Sequence, residues 1–302
     1  PDGAMYYATT RDGRPLAPAR DVYTELSTVC GFTEFARATA DEALYHEARR
    51  VFDGVWRKLQ TPGQAFQPFL AQTRPARVHG HSMITLNVLQ ELRRFRPDPA
   101  IDAMIDQCLH GILVLHRRPE RRAVLELVAW DGDTLPGPAG RWVNPGHMME
   151  AGIFVIHEGR RRRDAKLVAQ GAELIEWGFD LGWDREFGGI FNDVDLDGLP
   201  PSGVEALLYV SKLWWQHAEA LYALLLALRV TGDERFGEAC EQVHRYAFEK
   251  FADPVHGEWF ALLDRRGHRV NDAKGTARKS CYHLCRNVFN AWRLLDEWTA
   301  GA

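Results

Sequence analysis

The sequence predicts an all-α fold, a ring of antiparallel helix pairs closed as an (α/α) barrel, and three observations predict it. Apolar residues recur with helical spacing: Leu221, Leu224, Leu225 and Leu228 fall at i, i+3, i+4 and i+7, which lines one face of a helix. Two helix-to-helix junctions are near copies. RATADEALYHEA from Arg37 and RVTGDERFGEAC from Arg229 share Arg, Thr, Asp-Glu and an apolar residue in register, with Glu-Ala close behind; such repetition marks a duplicated helical hairpin. Finally, MYYATTRDGRPL, GGIFNDVDLDGLPP and GEWFALLDRRGHRV each carry an aromatic stretch into a glycine turn, at Gly13, Gly198 and Gly267. Asp-Gly between alternating residues is a strong hairpin signal, and LELVAWDGDTLPG, with Asp131-Gly132, is a fourth case.

In chain order, the periodicity predicts about nine helices, over 21–38, 41–59, 81–95, 100–117, 145–158, 163–179, 205–230, 233–250 and 280–298. Gly232 ends one helix and Asp233 caps the next; Asn144 and Ser280 are N-caps, with Pro145 at the favoured first helical position. Helix pairs joined by hairpins place alternate helix N-termini at one end of the ring. The whole chain, 1–302, reads as one barrel domain.

Composition narrows the partners. The chain has 302 residues, 46% of them hydrophobic and 26% charged, and a formal charge of −4, so nothing electrostatic points to nucleic acid. The basic run Arg160–Arg163 precedes a capping aspartate, Asp164, and reads as a solvated face. No apolar run reaches the roughly 18 residues of a membrane span, and no signal peptide opens the chain. Five scattered cysteines without CxxC spacing fit thiols of a reducing cytoplasm.

The chemistry-bearing residues cluster at helix starts. In NPGHMMEAG, the cap Asn144 places His147 at the third helical position and Glu150 one turn later on the same face. KSCYHLCRNVF repeats that grammar with Ser280, His283 and Arg286. A histidine in a helix first turn meets the positive end of the dipole, which keeps imidazole neutral and able to accept a proton. Each alone is compatible with capping or packing; as a matched pair they read as converging groups. Between them, KLWWQHAEAL starts an amphipathic helix whose Trp214 and Trp215 could be core or a flat wall for a sugar ring. His217 and Glu219, two apart, point to different faces. His79 and His81, in RVHGHSM, alternate as in an extended segment and lack a third ligand at zinc spacing. Asp193, Asp195, Asp197 and Gly198 match only half a calcium loop, since Val204 stands where the loop's glutamate is required. KGTARKS, 274–280, lacks the second glycine of a phosphate loop.

NPGHMMEAGIF, GRWVNPGH, KLWWQHAEA, GEWFALLDRRG and KSCYHLCR together resemble the N-acylglucosamine 2-epimerase family, also called renin-binding proteins, in order from about Tyr6 to Leu295. The resemblance implies an (α/α)6 barrel that moves a proton at C2 of an open-chain reducing sugar, without metal or other cofactor. It implies acid/base roles for His147 and His283, and substrate-binding or supporting roles for Glu150, Glu219 and Arg286; Trp214, Trp215 and His81 are expected to bind substrate beside them. It also implies a chain lacking the family's first helices, about three, with an apolar seam exposed, and often a homodimer. The nearest alternative outcome is aldose–ketose isomerisation. A glycoside hydrolase would need two carboxylates flanking the bond, and a protein-binding module a large exposed apolar patch.

Overall fold

Aspartates in extended conformation cap four of the helices, and a left-handed residue precedes three of those aspartates. The computed structural model describes residues 5–19, 21–65, 75–199, 206–276 and 279–300. Within it the chain divides into two compact units, residues 1–117 with 126–140, and residues 118–125 with 141–302.

The first unit opens with antiparallel strands Tyr6–Thr9 and Pro15–Pro18, joined through Gly13 at φ 84°, a conformation that favours glycine. Four helices follow: α1 (Tyr23–Thr39), α2 (Glu42–Leu59), α3 (His79–Phe95) and α4 (Pro99–His110). Ala40, at φ 56°, turns the chain, and Asp41 then caps α2 by accepting from the Leu44 N–H at 3.0 Å. Asp98 caps α4 ahead of Pro99. α1 packs on α2 and α3, and α3 on α4, around Leu26, Val29, Phe52, Leu86, Leu89, Leu92, Ile101 and Ile105.

Two elements of this unit differ from expectation. His79 and His81 are helical, because the extended stretch ends at Val78, paired through 76–78 with 127–129. The His79 N–H donates to the Glu126 carbonyl at 2.9 Å, which fixes the first residue of α3 against that strand. The helix expected over 100–117 keeps α geometry only to His110 and widens into a π turn over Gly111–His116. It widens where the chain passes Ser82 so closely that a Cβ at Gly111 would lie 2.5 Å from Oγ.

The second unit holds α5 (Pro145–Arg162), α6 (Ala165–Gly182), the single turn α7 (Ala206–Tyr209), α8 (Trp214–Thr231), α9 (Glu234–Lys250) and α10 (Cys281–Ala300). The α5–α6 and α8–α9 junctions repeat the α1–α2 grammar: Arg163 (φ 56°) before Asp164, and Gly232 (φ 71°) before Asp233. α8 is buried on every side from Trp214 to Ala227 rather than amphipathic; α5, α6, α9 and α10 all pack against it. The continuous helix expected over 205–230 is interrupted, because Lys212–Leu213 is a strand paired with Leu262–Leu263.

The turn at Gly267 is the expected hairpin, closed by a Leu263–Arg269 bridge. The strand before Gly198 pairs elsewhere: Val194–Asp195 lies antiparallel to Trp142–Val143. The ion pair of Arg141 with Asp195 at 3.0 Å holds it there. All four of these strand pairs are antiparallel. An apolar seam is present on α10, where Val288, Phe289, Trp292 and Leu295 are 41–59% exposed.

α5 and α6 approach closely through two glycines. A Cβ at Gly152 would meet Ile175 Cγ1 at 2.5 Å and the Gly171 carbonyl oxygen at 2.6 Å. Gly152→Ala is therefore expected to cost about 1–3 kcal/mol of overpacking despite alanine's better helix propensity. Urea denaturation checks this, and an unchanged or raised midpoint would refute the close-contact account.

Candidate functional site

Three helix starts of the second unit, those of α5, α8 and α10, converge. The α5 start follows directly from its sequence: the Asn144 Oδ1 accepts from the His147 N–H at 3.0 Å, with Pro145 at the first position. That places His147 half-buried and Glu150 fully buried on the same face. The α8 start emerges from the strand at Lys212, whose buried ammonium sits on Asp184 at 2.9 Å. Ser280 Oγ faces the Tyr282 N–H at 3.4 Å at the α10 start.

The Trp215 ring joins the two histidines. Its centroid lies 5.2 Å from the His147 ring and 5.1 Å from the His283 ring. The two imidazoles therefore share one aromatic wall. Behind it, His283 Nδ1 bonds Glu219 Oε1 at 2.6 Å. A carboxylate can only accept here, so Nδ1 carries the proton and Nε2 is left as the basic nitrogen. Arg286 donates through one terminal nitrogen to both Glu219 Oε1 and Glu150 Oε1, the latter at 3.2 Å. Its guanidinium lies over the Tyr282 ring at 4.3 Å and near the Phe154 ring at 5.2 Å.

The two glutamates respond oppositely to their surroundings. Burial, and then the Glu219 charge, raise the Glu150 carboxyl above its ordinary range. Burial also opposes ionisation of Glu219, but the Arg286 charge and the His283 hydrogen bond outweigh it, leaving that carboxyl lowered. Arg286, despite burial, is raised by Glu219. Glu150, Glu219 and His283 offer ligand atoms within 4.8 Å of one another. A divalent ion there would compete with Arg286, which already supplies the positive charge between the carboxylates.

The remaining expected residues have other neighbours. Trp214 is buried with the Lys279 ammonium 5.8 Å from its ring. His217 faces away from Glu219, as the two-residue spacing implied. Its Nδ1 lies 2.7 Å from the Leu213 carbonyl, Nε2 accepts from the Ile190 N–H at 2.9 Å, and the ring stacks on Tyr246 at 5.3 Å. His81 belongs to the first unit, its ring 5.7 Å from Tyr23. There it lines a cavity of about 530 Å³ with Trp56, Ser82, Asp106, His110 and Trp130.

Two residues of the cluster's surroundings escaped sequence reasoning. Asn287, buried, donates to the His283 carbonyl at 2.8 Å; its adjacency to Arg286 was the available signal. Gly146 abuts α8, since a Cβ there would lie 2.4 Å from Gln216 Cγ and 2.7 Å from the Trp215 ring.

The family described as N-acylglucosamine 2-epimerase (GlcNAc 2-epimerase) matches residues 2–286 of the chain. The N-acylglucosamine 2-epimerase of Bos taurus is 36% identical over 296 residues, 96% of this chain and 69% of that protein. The enzyme of the same name from Rattus norvegicus is 33% identical over 286 residues, covering 93% and 67%. The chain thus spans about two thirds of the length of these relatives. Among solved structures, the cellobiose 2-epimerase of Bacillus thermoamylovorans B4167 superposes with a TM-score of 0.80 at 15% identity, over 96% of this chain and 76% of that one. That likeness shows a shared fold, the helical-barrel class expected from the sequence.

Burial of histidines gives the stability of this chain a predictable pH dependence. His217 is pushed by burial from 6.5 to about 3. Between those values the unfolded chain binds a proton that the folded chain refuses, so stability falls as pH drops below about 6.5. The slope is about 1.4 kcal/mol per pH unit for one proton. His81, which burial lowers to about 4, acts in the same direction. The urea midpoint is expected to be lower at pH 5 than at pH 7.5, and His217→Gln to flatten that dependence. Equal slopes in the two proteins would refute the assignment to His217.

Proposed function

The chain belongs to the N-acylglucosamine 2-epimerase family, and from that membership and its geometry we propose that it epimerises C2 of an N-acyl sugar. The substrate would be the open-chain aldehyde of N-acyl-D-glucosamine or N-acyl-D-mannosamine, with His147 and His283 as acid and base. The observation that carries this reading is the pair of histidines that meet the same Trp215 ring.

The proton α to an aldehyde is weakly acidic, and its loss leaves an enolate whose O1 oxyanion needs stabilisation. Inversion at C2 takes a base on one face of that carbon and an acid on the other. His283, with its proton fixed on Nδ1 by Glu219, offers Nε2 to one face; His147, in the first turn of α5, serves the other. Trp215 supplies the apolar surface beside the reacting carbon. Glu219 Oε2 and Arg286 Nε are buried without a hydrogen-bond partner among the described residues. An acceptor and a donor of that kind beside the histidines suit sugar hydroxyl and developing oxyanion. On a sugar with a hydroxyl at C2 the same proton abstraction would leave an enediolate, and returning the proton to C1 instead of C2 would make a ketose.

Free thiols at all five cysteines support a reducing cytoplasm as the compartment. No helix among the described residues is long and apolar enough to cross a membrane.

The test is turnover of N-acetylglucosamine and N-acetylmannosamine in deuterated water. His147→Asn and His283→Asn are each expected to abolish epimerisation, while one of them retains deuterium incorporation into unchanged substrate, because the base for that epimer survives. Glu219→Gln removes the fixed acceptor behind His283 and is expected to lower kcat by about 10²–10⁴. Wild-type epimerisation by both histidine variants, folded by circular dichroism, would end the two-base reading.

A further inference from the structure

The half-matched acidic stretch DVDLDG has a different use from the one its spacing suggested. Its carboxylates are committed to protein groups. Asp195 pairs with Arg141, and Asp197 with Arg121 at 2.8 Å and with Arg141 at 3.3 Å. Asp193 is turned toward the start of α5. Its Oδ1 accepts from the Trp142 indole N–H at 2.7 Å and from the Asn144 side-chain amide at 3.2 Å, and its Oδ2 accepts from the Asn192 amide. Asn192 in turn accepts from Gln216 Nε2 on its Oδ1 at 2.7 Å. One hydrogen-bond chain therefore runs from the first turn of α8, through Asn192 and Asp193, to the cap of α5.

Direction matters in that chain. A side-chain amide can be turned either way, and only one way leaves the Asn144 oxygen toward the His147 N–H. Asp193, able only to accept, holds the Asn144 NH2 and so dictates the orientation of the oxygen. The same chain sets the spacing between α5 and the helix that carries Trp215, at the place where Gly146 already touches Gln216 and Trp215.

We propose that Asp193 is a positioning residue for this site. It locks the Asn144 amide and the α5 start against α8, and thereby fixes His147 relative to Trp215. The proposal rests on the reading of His147 as an acid or base, and it adds a residue outside the cluster to that reaction.

Two variants break the lock without removing the cap. Asp193→Asn puts an NH2 group among three donors. Asn144→Asp keeps the acceptor for the His147 N–H but removes the amide donor that faces Asp193. Each is expected to lower kcat about 10- to 100-fold, the scale of a small misplacement of a reacting group, with KM within about twofold. Hydrogen–deuterium exchange should quicken in the peptide spanning 144–150 and stay unchanged in α6 and α9. Asp197→Asn, on the same stretch but bonded to Arg121, should keep wild-type kcat and exchange.

Wild-type kcat in Asp193→Asn, or exchange quickened equally across all helices, overturns the proposal. So does an Asp197→Asn protein as slow as Asp193→Asn. Were the wild-type protein to turn over no N-acyl sugar, the epimerase reading would fall, and the exchange measurement alone would decide the positioning. Quickening confined to 144–150 supports it, and any other pattern refutes it.

Discussion

The Arg286 guanidinium, held between Glu150 and Glu219, is the interaction on which the site depends. Two carboxylates with 1% and 0% exposure come from different helices and would repel each other in a poorly solvated interior. A positive group within reach of both turns that conflict into cohesion among α5, α8 and α10. Removing one partner from such a buried set leaves uncompensated charge, typically worth about 3–5 kcal/mol. The set is also asymmetric. Glu219 is reached by both Arg286 and His283 and keeps its charge more readily, whereas Glu150 has fewer partners and is biased toward protonation. Charge placement at the site is thus decided by how many donors each carboxylate meets.

Where sequence and structure agree, the determining contact is local. The cap of α5 is readable in Asn-Pro-Gly-His because the acceptor and donor are three residues apart. The repeated junctions were readable for the same reason: a left-handed residue and a capping aspartate occupy two adjacent positions. His283 and Arg286 share a face by helical spacing alone.

Where they differ, the partner is distant in sequence. Asp-Gly at 197–198 suggests a hairpin, yet the strand before it finds Trp142–Val143, some fifty residues earlier. Apolar periodicity runs smoothly through 205–230, so nothing in it reveals that Lys212–Leu213 is claimed by a strand near 262. His79 and His81 alternate as if extended, but the strand ends one residue before them because its partner ends too. The indole and carboxamide that meet Asp193 were likewise invisible, although the aspartate itself stood out.

Every cluster residue of the site lies near the beginning of its helix. His147 and Glu150 are the third and sixth residues of α5, His283 and Arg286 the third and sixth of α10, and Trp215 and Glu219 the second and sixth of α8. The later turns of these helices carry packing: Phe154 and Ile156 on α5, Leu224 and Leu226 on α8, Leu294 on α10. The candidate site and most of the apolar packing therefore occupy separate lengths of the same helices. Variation confined to the opening turns and the loops before them can reshape what is bound while the deeper turns preserve the scaffold. The buried Glu150–Arg286–Glu219 set serves both, so changes there touch stability and binding together.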